Sequence, residues 1–137
     1  MNIKQTNRTV SIQLKLAALW AAFTAFYIYV DYLTLYLPGK IEGILEGKIH
    51  TFAISPIFLV VALLSIGIPA IMICLSVILR AKINRWANIV VAGFNIPYAL
   101  FNLTGEAWAH MIIAAAIEVA ILSLIIWYAY KWPKDER

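Results

Sequence analysis

The chain has 137 residues, 64% of them hydrophobic and 13% charged, with a formal net charge of +4 and a mean hydropathy of +0.85. These figures lie outside the range of a soluble domain and describe an integral membrane protein. They leave no room for a separate soluble module, a nucleotide-binding loop or a nucleic-acid surface, because the basic residues flank apolar runs, where membrane topology requires them.

Residues 1–13 are polar and include Lys4 and Arg8. The apolar run that follows extends from about Leu14 to Leu37 without a small-residue cleavage site at signal-peptide length, so it reads as a retained first helix, stopped by Pro38-Gly39. Trp20, Thr24, Tyr27, Asp31 and Thr34 recur at alternating spacings of four and three and form one polar stripe on it. In the connection 38–55, Ile41, Ile44, Leu45 and Ile49 fall at helical spacing among Lys40, Glu42, Glu46 and Lys48. That pattern predicts a short amphipathic helix lying in the membrane interface.

A second span is expected at 56–79, with Pro56 in the first turn, where its missing N–H is no loss, and a kink at Pro69. Ser65, Met72 and Ser76 share a face with Pro69. Cys74 is the single cysteine, which rules out an intramolecular disulfide and a paired-thiol redox site. A short basic connection, residues 80–86, leads to a third span at 87–103. Asn88, Asn95 and Asn102 recur there every seven residues, with Ala92 and Ala99 between them, as a ladder of amides and small side chains. A fourth span runs over 108–130 and ends in the interfacial aromatics Trp127, Tyr128, Tyr130 and Trp132. The expected fold is all-α: one membrane domain over residues 1–137, a four-helix bundle with an amphipathic helix in its first outer loop.

Lys4, Arg8, Lys15, Arg80, Lys82, Arg85, Lys131, Lys134 and Arg137 fall on one side of these spans, against Lys40 and Lys48 on the other. Both termini are therefore expected in the cytoplasm of a bacterium, with the chain multi-pass in the inner (plasma) membrane. Asp31 then lies about 9 Å from the outer end of the first helix, and Glu118 about 15 Å from the outer end of the fourth, at ~1.5 Å per residue. Asn95 is near mid-depth, while Asn102, Glu106 and His110 are near the outer surface.

Glu118 is the residue to explain. It stands in an otherwise apolar span, and an ionisable group there is costly, faces the bundle interior or a wet cavity, and marks function by default. If the stripes converge, Asp31, Glu118, Asn95 and Asn102 supply charge and hydrogen bonds to an outward acidic cavity. Tyr27, Tyr98 and Trp20 would wall it with rings suited to cations, and Glu106 and His110 would stand at an outer gate. Each residue also has a structural use. Asp31 and the asparagines can act as interhelical glue, His110 as a cap or solvated side chain, and the aromatics as anchors. No cofactor or metal-binding motif accompanies them.

The segments DYLTLY (31–36), INRWANIVVAG (83–93) and IEVAILSLIIWYAYKW (117–132) resemble those of a family of small bacterial four-helix membrane proteins of unknown function. The general shape also resembles DoxX-like bundles, including quinone-reducing and sterol-binding membrane families. The paired cysteines of the redox group are absent, whereas the sterol-binding and isomerising group uses carboxyl groups inside a bundle. Three functions fit. The first is binding or transport of a small cationic or amphipathic ligand, or a proton, in the acidic cavity. The second is an accessory or oligomerising subunit whose polar stripes are interfaces. The third is a lipid isomerase that shuttles protons between Glu118 and Asp31. The expected partners are membrane lipids, a small-molecule or cation ligand, and further copies of the chain.

Overall fold

A computed structural model describes residues 9–133. Lys4, Arg8, Lys134 and Arg137, used above for orientation, lie outside them. The described chain is mostly helical: α1 (Ile12–Thr34), α2 (Lys40–Leu45), α3 (Pro56–Ile78), α4 (Ala81–Phe101) and α5 (Ala109–Tyr130), with β1 (Lys48–Ile49) and β2 (Phe52–Ala53) between α2 and α3. By length and composition α1, α3 and α5 could each cross a membrane. α4 is of similar length but carries Lys82, Asn84, Arg85, Asn88 and Asn95, and is not among them.

Local chemistry sets the helix ends. Ser11 caps α1, its hydroxyl accepting from the Leu14 N–H at 3.3 Å, and Ser55 caps α3 by accepting from Phe58 at 3.1 Å, with Pro56 at the first helical position. α1 ends at Thr34 rather than running to Leu37. Its chain closes through bonds of the tighter i to i+3 type, including Leu37 N–H to the Thr34 carbonyl at 3.1 Å, because the residue before Pro38 is steered away from helical geometry. Both Pro69 and Pro97 sit inside uninterrupted helices.

Two expectations need correction. The amphipathic helix of residues 40–49 is only α2, six residues long with none buried. Gly47 takes a left-handed φ of 79° and ends it, and residues 48–53 form an antiparallel hairpin, with Lys48 opposite Ala53 and Ile49 opposite Phe52. The basic connection 80–86 is not a loop either, because α4 starts at Ala81 and reaches back to within two residues of the end of α3. The Asn84 side chain makes this tight turn possible. Its amide donates to the Ser76 carbonyl at 2.6 Å and to the Leu79 carbonyl at 3.4 Å, satisfying acceptors that the end of α3 leaves open.

α1 packs along both α3 and α5, α5 packs also along α4, and α3 and α4 meet more sparingly. The side chains that meet across the interior give the directions: α1 and α4 run one way, α3 and α5 the other. An aromatic column runs up α1, with Trp20 edge-on to Phe23 at 5.8 Å, Phe23 beside Tyr27 at 6.0 Å, and Tyr27 stacked on Tyr98 of α4 at 6.2 Å. Around it Leu16, Leu122, Ile125 and Ala92 are fully buried. Small residues, Ala92 and Ala99 on α4 with Ala114, Ala115 and Ala129 on α5, are buried in the packed interior, where short side chains let backbones approach closely.

Candidate functional site

The interior holds two polar regions, one on each side of the aromatic column. At the end where α3 turns into α4, Asn88 is a hub. Its carbonyl oxygen accepts from the Trp20 indole N–H at 2.6 Å and from the Ser76 hydroxyl at 3.2 Å. Its amide donates to the Asn84 backbone carbonyl at 2.8 Å and to the Asn84 side-chain oxygen at 2.7 Å. Trp20, Ser76, Asn84 and Asn88 are all fully buried. The cluster ties α1, α3 and α4 together with its donors spent.

The opposite end holds a cavity of about 70 Å³. α1 contributes Tyr27, Val30, Asp31 and Thr34 to its wall, α4 Ala99, and α5 Met111, Ala114, Ala115 and Glu118. The connections close its mouth with His50 from the hairpin tip and Asn102 and Leu103 after α4. Glu118 is 4% exposed, whereas Asp31 is exposed, so the cavity runs from an open acidic mouth to a buried acidic floor. Among the described residues no Lys or Arg lines it. Among the described residues neither carboxyl group has a hydrogen bond or ion pair, the one ion pair being Lys40 with Glu106.

The mouth is clasped from outside. The Lys40 ammonium lies 3.3 Å from a Glu106 oxygen and 3.4 Å from Nδ1 of His50, so one lysine joins α2, the hairpin and the connection between α4 and α5. An ammonium only donates, which makes His50 Nδ1 the acceptor. His50 holds a left-handed φ of 53° at the hairpin tip, a conformation uncommon outside glycine.

Of the residues singled out from the sequence, Asp31, Glu118, Tyr27 and Asn102 share the cavity. Tyr98 stands just behind it, accepting the Tyr27 hydroxyl proton at 3.1 Å. Trp20 does not line the cavity, its N–H being committed to Asn88 in the opposite cluster. Asn95 is also outside the lining and donates to the Val91 carbonyl of its own helix at 2.8 Å. Glu106 is held in the outer clasp, and His110 does not line the cavity, its Nε2 buried without a partner among the described residues. Sequence reasoning missed Asn84, read as part of a loop, and His50, whose place over the cavity depends on the hairpin. It also missed the wall of Ala114 and Ala115, for which the run Ala114-Ala115-Ala116 one turn before Glu118 was an available signal.

A family model described as a family of unknown function, DUF6326, matches residues 3–137. The chain belongs to this family. No curated protein and no solved structure matches it. Membership in DUF6326 covers both polar regions and brings no assigned chemistry to either, so function has to be argued from the cavity.

Proposed function

We propose that this DUF6326 chain is a multi-pass membrane protein of the bacterial inner membrane, a four-helix bundle of α1, α3, α4 and α5 broadly DoxX-like in shape, which binds a small cation in an outward-facing acidic cavity. The orientation rests on the distribution of positive charge. Lys15, Arg85 and Lys131 all lie at the end away from the cavity, each over an aromatic ring: Tyr128 at 5.2 Å, Tyr130 at 5.5 Å and Trp127 at 4.3 Å. An excess of Lys and Arg marks a cytoplasmic face. The start of α1 and the end of α5 lie there, and the cavity opens to the other side.

One observation carries the ligand class: Glu118 is almost wholly buried, faces the cavity and has no protein partner among the described residues. A buried carboxyl group without a partner is expensive in a low-dielectric interior. A bound cation would supply the missing charge. Binding is favoured over conduction through a single chain, because Trp20, Phe23, Leu122 and Ala92 pack the interior between the cavity and the far end to under 2% exposure.

Two other functions are less well supported. A lipid isomerase must enclose part of its substrate's ring or chain, and about 70 Å³ is roughly half of the ~150 Å³ cavity that accommodates benzene. For an oligomerising subunit, the asparagine stripe would have to face a partner, yet Asn88 and Asn95 are buried within one chain and of the three only Asn102 is exposed. The test is thermal unfolding of the purified protein with and without sodium or methylammonium chloride, beside choline chloride at equal ionic strength. A saturable rise in Tm with either small cation that is absent in Glu118→Gln is expected. Equal behaviour of wild type and Glu118→Gln with every salt sinks the cation cavity.

A further inference from the structure

The cavity wall also defines what sort of cation fits, provided the cation-binding function above holds. Its polar groups are Tyr27, Asp31 and Thr34 from α1 and Glu118 from α5, with His50 and Asn102 at the mouth. Glu118 and Asp31 accept hydrogen bonds. The Thr34 hydroxyl has spent its proton on the Val30 carbonyl at 2.8 Å, which leaves its oxygen as a third acceptor. The rest of the wall is hydrocarbon, Val30, Ala99, Leu103, Met111, Ala114 and Ala115, and Ala114 and Ala115 lie one turn from Glu118 on its own face of α5. Among the described residues no three His, Cys, Asp or Glu side chains converge as a metal-ligand set, and a bare inorganic cation would find few oxygens and much methyl surface here.

We propose that the cavity takes a short-chain primary alkylammonium ion, its three N–H donors shared among Glu118, Asp31 and Thr34 and its hydrocarbon laid against the alanine wall. The room exists because Ala99, Ala114 and Ala115 are buried to between 2% and 6% exposure and present only methyl groups. A larger side chain at any of them would take up the space beside the carboxyl groups that a ligand's hydrocarbon needs. A quaternary ammonium has no N–H to give, and is too bulky for a space smaller than a benzene site. The Glu118 side chain, 4% exposed, facing the cavity and without a partner among the described residues, is the independent sign that something binds here.

The test is calorimetric titration of the full chain in detergent with sodium, methylammonium, n-propylammonium and tetramethylammonium chlorides. Each methylene laid on the wall raises affinity about fourfold, so n-propylammonium is expected to bind on the order of fifteenfold tighter than methylammonium, with tetramethylammonium weakest. Ala115→Val is expected to keep methylammonium binding and lose the gain with chain length. A flat series, or sodium binding as well as n-propylammonium, overturns the alkylammonium assignment while leaving the cation cavity standing. Retention of the chain-length gain in Ala115→Val overturns the placement of the chain on the alanine wall. No binding of any of the four ions overturns both.

Discussion

The two polar regions of this molecule are built in opposite ways. Around Asn88 every donor meets an acceptor within one chain, from Trp20 on α1 to Ser76 on α3 and Asn84 on α4. Around Glu118 the carboxyl groups have no protein partner among the described residues, and the neighbours are alanines that leave space. A satisfied network rigidifies and specifies a packing, whereas an unsatisfied buried group is either an error or a place for a ligand. Two regions of one fold, separated by the Trp20–Phe23–Tyr27 column, thus illustrate polar burial used for structure and polar burial available for binding.

Breaking the closed region should have the largest effect. Asn88→Leu strips Trp20 and Ser76 of their acceptor and Asn84 of its donor, and is expected to cost about 3 kcal/mol, read as a large fall in the unfolding midpoint in detergent. Little or no fall would mean that the cluster is incidental to stability. Glu118→Gln should go the other way: removal of a buried unpaired carboxyl group is expected to raise unliganded stability by about 1 kcal/mol, in the same assay, while abolishing the response to cations. Asp31→Asn sharpens the contrast, because Asp31 is exposed at the mouth. Its effect on unliganded stability should stay within ~0.5 kcal/mol, although cation binding weakens.

Ser76→Ala removes one of the two bonds to the Asn88 oxygen and should cost about 1 kcal/mol. A small stability effect is also expected for Lys40→Met, which opens the outer clasp. Exposed ion pairs contribute ~0–1 kcal/mol, so the unfolding midpoint should hardly move. Amide exchange should instead quicken in the hairpin, at Ile54, whose N–H bonds the Gly47 carbonyl at 2.8 Å. Unchanged exchange there would show that the hairpin keeps its place over the cavity without Lys40.

The long helices were legible because each is an apolar run of spanning length with recognisable ends, such as Ser55-Pro56 ahead of α3 and Pro38-Gly39 after α1. The start of α4 was not. Arg80 to Trp86 reads as a solvated basic turn, and its helicity depends on Asn84 reaching carbonyls of α3, a contact between elements that no local pattern encodes. The hairpin was lost for a related reason, since Ile41, Ile44, Leu45 and Ile49 have helical spacing and only Gly47 breaks it.

Within the site, the acidic pair was legible from depth: charge in an apolar helix stands out whatever the fold. The division of labour among the other polar residues was not, because residues on one helical stripe can face different neighbours. Trp20 and Tyr27 lie two turns apart on the same face of α1, yet one is bonded to Asn88 and the other lines the cavity. Tertiary packing set that difference by bringing α4 alongside at one register and not another.

By itself, the sequence determined the apolar helices, their order, and the presence of two carboxyl groups, Asp31 and Glu118, in segments that lipid would penalise, because length, hydropathy and charge are local properties. Only the tertiary structure decided that these two groups line one cavity, that alanines leave it room, and that Asn84 and Asn88 are used up inside the chain. Those outcomes depend on which faces of distant helices meet, and the contact energies that choose among faces are spread over residues far apart in the chain.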